Sequence, residues 1–202
     1  MTGPVVRPIG AARDRLLSAA LNLFVYHGVN GTSLQMIADD LGVTKAAVYH
    51  QFQTKSDLVL AVMAPALEQM AQLAEAAEAE RSVASRREAA LSGLVDLVVE
   101  NRRMTAVLYA DPIVTRLIRE HPPMLELSER IKRLITGPDH DVETLVGVAV
   151  VGGGLMMVGL DPELADLDDE ALRRHLLGTA RRTMRLRAPA REKGQAAVAS
   201  PK

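Results

Sequence analysis

The sequence contains no cysteine and no tryptophan, and only five of its 202 residues are Phe or Tyr. Without cysteine the chain can form neither a disulfide, a zinc-thiolate site nor a thiol nucleophile. Ten prolines and fourteen glycines are too few for a collagen-like or low-complexity chain. Residues 1–10 lack the apolar run of a secretory signal, so we expect a cytoplasmic protein that begins near Met1.

The net charge is only −1, but the charged residues are unevenly distributed along the chain. Residues 1–60 carry five basic and four acidic side chains, and residues 61–172 carry ten basic and twenty acidic ones. Residues 173–202 carry nine basic side chains against one acidic. Because the acidic middle repels phosphate, any contact with DNA should be confined to the ends of the chain.

Apolar residues recur at helical spacing almost throughout, and no convincing run of alternating β-branched residues is present. The sequence therefore predicts an all-α protein. The predicted helices span residues 13–27, 34–41, 45–51, 55–80, 86–100, 112–120, 124–135, 142–160 and 169–187.

Capping residues mark several helix starts. Thr54 with Asp57, and Ser85 with Glu88, have the spacing of a capping box, and Asp111 precedes a proline that suits a first helical turn. We therefore expect helices to begin after Thr54, Ser85 and Asp111.

Pro65 falls inside the fourth predicted helix. A proline there removes a backbone donor, so it either kinks the helix near Met63 and Ala64 or opens a new helix as its first residue. The sequence leaves both alternatives open.

The most informative segment is residues 33–52. Ser33 can cap one short helix, Gly42 permits a left-handed turn, and Thr44 can cap a second short helix. The inward face of the first helix consists of Leu34, Ile37, Ala38 and Leu41. This arrangement predicts a helix-turn-helix, whose second helix enters the major groove of DNA.

The flanking helices complete a three-helix unit. Upstream, one apolar face ends at a Gly28 stop and comprises Leu16, Leu17, Ala20, Leu23 and Phe24. Downstream, the helix that begins at Lys55 offers free amides and the positive end of its dipole, which favour a phosphate.

Residues from about 13 to 63 resemble the N-terminal domain of the tetracycline-repressor (TetR) family of transcriptional regulators. The resemblance rests on Phe24, Gly28, Thr32, Ile37-Ala38, Leu41-Gly42-Val43, Val48-Tyr49, Phe52, Lys55 and Leu58. It implies a homodimer that binds an inverted-repeat operator in double-stranded DNA. It also implies a C-terminal domain that dimerises and holds a small effector.

The resemblance also implies which residues contact DNA. Recognition-helix contacts fall at Thr44, Lys45, Ala46, Tyr49 and His50, and phosphate contacts at Tyr49, Thr54 and Lys55. Gln35, in the preceding helix, can also reach the DNA. Lysine can donate to guanine, so we expect Lys45 to read a base, although it could be an ordinary surface lysine and Tyr49 could pack against the first helix.

The C-terminal part is poor in aromatic residues, since Tyr109 alone lies beyond Phe52. A pocket there cannot grip a planar molecule by multiple stacking, which favours an aliphatic or acyl-like effector. Candidate lining residues are Met104, Tyr109, Met124, Met156 and Met157, although the methionines could equally be ordinary core.

Residues 144–160 are uncharged and raise the possibility of a membrane span. A span needs about twenty residues, and three consecutive glycines weaken an isolated helix. We therefore expect no membrane contact. The helix should face its own core on one side and a second subunit on the other, paired with a last helix whose arginines are solvated.

No nucleophile elbow, phosphate loop, zinc helix motif or dinucleotide fingerprint is present, so we expect no enzymatic activity and no cofactor. Residues 139–141, Asp-His-Asp, are of metal-ligand type but lack spaced partners. We expect no metal, and a loop that caps the next helix.

The sequence thus predicts three segments. Residues 1–54, ordered from about residue 12, form the helix-turn-helix domain. Residues 55–187 form the effector-binding and dimerisation domain, and residues 188–202 a mobile tail. The expected function is that of a repressor released from its operator by a small effector. A dimeric DNA-binding or interaction protein without an effector is the alternative.

Overall fold

A computed structural model describes residues 9–186, all of whose regular elements are helical. The α-helices are α1 (Ile9–Gly31), α2 (Leu34–Leu41), α3 (Lys45–Gln51), α4 (Lys55–Glu78), α5 (Val83–Glu100), α6 (Arg102–Ala110), α7 (Pro112–Glu120), α8 (Pro122–Thr136), α9 (Val142–Met157) and α10 (Asp169–Thr183). Two 3-10 turns, Val158–Leu160 and Pro162–Leu164, join α9 to α10. The predicted all-α class is confirmed. The tail predicted at residues 188–202 lies outside the described residues.

The first helix is broken close to its end. Gly28 has φ 70° and ψ 165°, a conformation that is almost restricted to glycine, and residues 29–31 form a further turn in a new direction. The predicted stop at Gly28 is confirmed, while the helix begins earlier than residue 13.

The fourth helix runs without interruption from Lys55 to Glu78 with Pro65 inside it. Pro65 therefore does not open a new helix. Helix continuity across a proline requires the surrounding packing to hold the turn, because residue 65 donates no backbone hydrogen bond.

The observed helices differ from the predicted ones in three places. The helix predicted to begin after Ser85 begins at Val83, since the capping box is formed by Ser82 and Ser85 and not by Ser85 and Glu88. Helix α6 was not predicted, because it follows Asn101 directly, has no side-chain cap and begins with two arginines. The last helix also ends at Thr183, before the predicted limit.

The buried apolar residues form two clusters. The first core joins α1, α2, α3 and the start of α4, and it includes Phe24 and Phe52. It also contains Leu108 of α6 and Val114 of α7, so it extends beyond the predicted boundary at residue 54. The second core joins α4, α5, α8, α9 and α10 and is built from aliphatic residues and methionine.

Helix α9 has one face packed against the rest of the chain and one face exposed to solvent. Leu155 is buried, whereas an exposed stripe of the same helix comprises Val142, Leu145, Val146, Ala149, Val150, Gly153 and Met157. By length and composition, the 19 residues Val142–Leu160 could cross a membrane, with a mean hydropathy of 1.8. Only 17% of this stretch is buried within the chain.

The arginines of α10 do not form the fully solvated face that was predicted. Arg173 reaches Asp96 and Arg181 reaches Glu88, both on α5 and both in partly buried ion pairs. The bond to Asp96 raises the pKa of the Arg173 guanidinium. These pairs fasten α10 to α5 and leave Arg174 and Arg182 exposed.

Candidate nucleic-acid interface and cavity

The α2–α3 unit is held by caps at each change of direction. The Ser33 hydroxyl accepts from the amide of Met36 at 3.1 Å, and the Thr44 hydroxyl accepts from the amide of Ala47 at 3.2 Å. Gly42 adopts the left-handed region, with φ 63°, and its N–H caps the end of α2. The predicted helix-turn-helix geometry is thus present.

Helix α3 is attached through one residue and is otherwise exposed. Val48 is completely buried in the first core, which also contains Ile37 and Ala38 of α2. The exposed residues of the helix and its cap include every predicted recognition residue: Thr44, Lys45, Ala46, Tyr49 and His50. The structure therefore brings these side chains together on one open surface, which we call the α3 face.

Two of the predicted DNA-contacting side chains, Lys45 and Gln35, interact with neighbouring side chains of their own helices. The ammonium of Lys45 lies 5.5 Å from the ring centroid of Tyr49, within range of a cation–π interaction. Tyr49 is 43% exposed. On α2, Nε2 of the exposed Gln35 donates to Asp39 at 2.7 Å.

The side chains at the start of α4 form more hydrogen bonds within the chain than the sequence suggested. Thr54 and Asp57 form the predicted capping box, with both bonds at 3.0 Å. Nζ of Lys55 donates to the carbonyls of Val29 and Asn30, at 3.0 and 3.1 Å. Lys55 thus neutralises the carbonyl end of α1, and its phosphate contact remains a prediction.

Sequence reasoning missed the position of one cation and one contact of a predicted cap. The guanidinium of Arg13 lies 5.3 Å from the ring centroid of Phe52, which positions an exposed cation beside the start of α4. Asp111 caps α7 as predicted, through the amide of Ile113 at 2.9 Å, but its other carboxylate oxygen bonds to α1. No local pattern signals a contact between residues 82 positions apart.

A cavity of about 310 Å³ lies where the two cores meet. It is lined by residues of α4 to α9, and its wall is predominantly aliphatic. Tyr109 is its one aromatic lining residue, and the other polar ones are Thr105, Ser128 and Lys132. The volume falls at the lower end of the range for small-molecule sites.

Four of the five predicted pocket residues line this cavity: Met104, Tyr109, Met124 and Met156. Met157 does not line it and is 45% exposed. One residue along a helix corresponds to a rotation of about 100°, so Met156 and Met157 cannot share a face. Asp141, in the loop considered for a metal, caps α9 by accepting from Thr144 at 2.8 Å, as expected.

Comparisons with known proteins agree with this geometry. Residues 16–62 match the model of bacterial regulatory proteins of the tetR family. The regulator AcrR of Shigella flexneri is 50% identical over 46 residues, 23% of this chain and 21% of AcrR. The regulator SrpR of Pseudomonas putida is 44% identical over 52 residues, 26% of this chain and 24% of SrpR.

The curated relatives are therefore matched over about a quarter of their length. A solved transcriptional regulator of the TetR/AcrR family from Thermobifida fusca aligns over much more of the chain. It is 26% identical with a TM-score of 0.55, and the alignment covers 84% of this chain and 96% of that one.

Proposed function

We propose that this chain, whose residues 16–62 match the tetR family of bacterial regulatory proteins, represses transcription as an operator-binding dimer that a small effector releases. The observation that carries the proposal is the α3 face: a short helix anchored by one buried valine, with its remaining side chains exposed around Lys45 and Tyr49. A helix held in this way can enter a major groove without disturbing the core that supports it.

The proposed contacts divide by chemistry. Thr44, Lys45, Ala46 and His50 face base edges, and Lys45 donates to guanine O6 and N7. Tyr49, Thr54 and Lys55 contact phosphates. These contacts fix register, and the amide of Gln35 adds a further one from α2.

Selection of binding sites from random duplex DNA tests the proposal, and we expect an inverted repeat. Lys45→Ala should weaken binding to the selected duplex about tenfold, within the usual cost of losing one base contact. The matched control is Arg174→Ala, which removes an exposed cation on α10 away from the cavity and should leave affinity unchanged. Failure to enrich any sequence at low salt would instead favour an interaction protein.

We propose that the exposed apolar stripe of α9 pairs with the same stripe of a second copy. Valines, an alanine and a glycine permit close helix approach, and a two-fold interface presents the same patch on both sides. Two recognition helices about 34 Å apart would then face successive major grooves.

Val146→Lys tests this interface, because it places a charge in the middle of the stripe. Sedimentation should show a monomer where the native chain sediments as a dimer. Val83→Lys, at an exposed valine on α5, is the control and should leave the dimer intact. A Val146→Lys chain that remains dimeric contradicts this arrangement.

We further propose that the cavity binds an aliphatic or acyl-like effector, since its wall offers methionine and aliphatic side chains with a single aromatic ring. Octanoic, dodecanoic and hexadecanoic acids, their alcohols and a set of planar aromatic cations form a suitable thermal-shift panel. Stabilisation by the aliphatic compounds alone is expected. Stabilisation by the cations alone would overturn the assignment.

Release would follow from movement of α4, which lines the cavity and begins at Lys55, four residues after α3 ends. Pro65 is the proposed bending point, because the missing donor leaves the carbonyl of Ala61 without its helical partner. Pro65→Ala restores that donor and should reduce effector-induced release. If it leaves DNA affinity and release unchanged, the hinge is refuted.

A further inference from the structure

Residues 28–33, which we call the α1–α2 corner, are held from two directions. Oδ2 of Asp111 accepts from the amides of Val29 and Asn30, at 3.0 and 3.1 Å. Nζ of Lys55 donates to the carbonyls of the same two residues. An anion therefore binds the N–H side and a cation binds the C=O side of one short turn.

The two charged groups bracket the helix-turn-helix along the chain. Helix α2 begins four residues after Asn30, and α3 ends four residues before Lys55. The corner is also tied internally, because the Thr32 hydroxyl donates to the carbonyl of Gly28 at 2.8 Å. A displacement of the corner thus reaches both ends of the α2–α3 unit.

Asp111 lies between residues that line the cavity. It lies at the junction of α6 and α7, and Leu108 and Val114, three residues to either side, both line the cavity. Both are buried in the first core as well. Anything that pushes these walls apart must move the junction that carries the carboxylate.

The environment of Asp111 makes its bonds difficult to exchange for water. The residue is 8% exposed, one of three buried polar residues in the described part of the chain. Its oxygens accept three backbone hydrogen bonds, including the cap of α7. Charge-assisted bonds are strong, and a buried carboxylate that loses them is costly, so the junction and the corner should move as one body.

We propose that Asp111 is a positioning residue that transmits changes in the cavity to the α3 face. This inference deepens the proposed function and rests on it. The path runs from the cavity walls Leu108 and Val114, through the Asp111 carboxylate, to Val29 and Asn30. It operates in addition to the movement of α4.

Asp111→Ser separates the two roles of the side chain. Serine is a good helix cap and keeps the bond to α7, but it is too short to reach the α1–α2 corner. The control is Asp168→Ser, which shortens another capping aspartate at the start of α10, away from the corner. Circular dichroism verifies that both variants keep their helices.

Hydrogen exchange of the full-length native chain and both variants gives the first readout. Asp111→Ser should accelerate exchange of the Val29 and Asn30 amides about tenfold and weaken operator binding by a similar factor, while Asp168→Ser changes neither. Native exchange at both amides in Asp111→Ser would overturn the proposal, since a residue that only caps α7 predicts that result.

A second arm tests the connection to the cavity without an identified effector. Gly152 lines the cavity, and a Cβ added there meets no atom within 4 Å, so Gly152→Leu serves as a built-in occupant. It should weaken operator binding about fivefold or more in the native background and less than twofold in Asp111→Ser. Equal effects in both backgrounds, or none in the native one, overturn the transmission.

The readouts also distinguish this inference from the proposed function. If the native chain selects no operator, the regulator proposal fails, and amide exchange in Gly152→Leu still decides whether the cavity communicates with the corner. If an operator is found and exchange is unaffected, only the role of Asp111 fails.

Discussion

The first core and the layer between the two cores are filled differently. The first core contains Phe24 and Phe52, both deeply buried, around the single anchoring valine of α3. The layer between the cores leaves about 310 Å³ unfilled behind aliphatic and methionine side chains. A filled core holds a fixed recognition geometry, whereas an adaptable wall is suited to responding to an occupant.

The largest expected effect contrasts these two kinds of packing. Phe24→Ala should lower the free energy of unfolding by about 3–5 kcal/mol, because it opens a void in a filled core. Met156→Ala should cost less than about 2 kcal/mol, because one side of Met156 already faces empty space. Urea titrations of the two variants make the comparison. Equal losses would mean that the cavity wall is packed as tightly as the first core.

Backbone strain in the first helices should come next in size. Gly28→Ala forces a side chain into an almost exclusively glycine conformation and should cost about 1–3 kcal/mol. Gly42→Ala, in the ordinary left-handed region with open space around it, should cost about 1–2 kcal/mol. Thermal unfolding ranks the pair. A reversed order would contradict the conformation assigned to Gly28.

Helix caps should reveal no difference between the two parts of the molecule. Thr54→Ala at the start of α4 and Ser82→Ala at the start of α5 each remove a capping box, at a cost of about 1 kcal/mol. If urea unfolding shows similar losses of stability for the two variants, the two parts of the molecule differ in their cores and not in their helix ends. A twofold larger loss at either cap breaks that interpretation.

The smallest effect concerns an exposed ion pair beside the second core. The bidentate bonds from Arg130 lower the pKa of Glu78. A lowered carboxyl pKa contributes stability above its unfolded value that is lost as pH falls through the folded one. Glu78→Gln should therefore be slightly less stable than the native chain at pH 7, by less than about 1 kcal/mol, with the difference disappearing in acid. A stability difference between Glu78→Gln and the native chain that grows in acid would contradict the predicted pH dependence.

The sequence predicted the helix-turn-helix closely because its determinants are local. Ser33, Gly42 and Thr44 form hydrogen bonds with residues within four positions. The helical spacing of apolar residues such as Ile37 and Val48 indicates which side of each helix is buried. The exposure of the recognition residues could be predicted from the same spacing. Helix α6 escaped prediction because it has no cap and no preceding breaker.

Contacts between distant residues could not be predicted in this way. The bonds from Lys55 and Asp111 to residues 29–30 depend on how α1, α4 and α6 pack. The cavity depends on the same packing, which is why a list of methionines found four lining residues and included Met157 on the wrong face. The composition of the C-terminal part predicted the chemical character of the cavity wall, but only the fold showed which residues line it.

The unfilled space between the cores has a mechanical consequence. Hydrostatic pressure favours the state with the smaller volume, and the volume lost on unfolding scales with the voids that disappear. The helices around the cavity should therefore yield to compression before α1, α2 and α3 do. In high-pressure spectra, resonances of Met104 and Met156 would shift while those of Phe24 and Val48 stay in place.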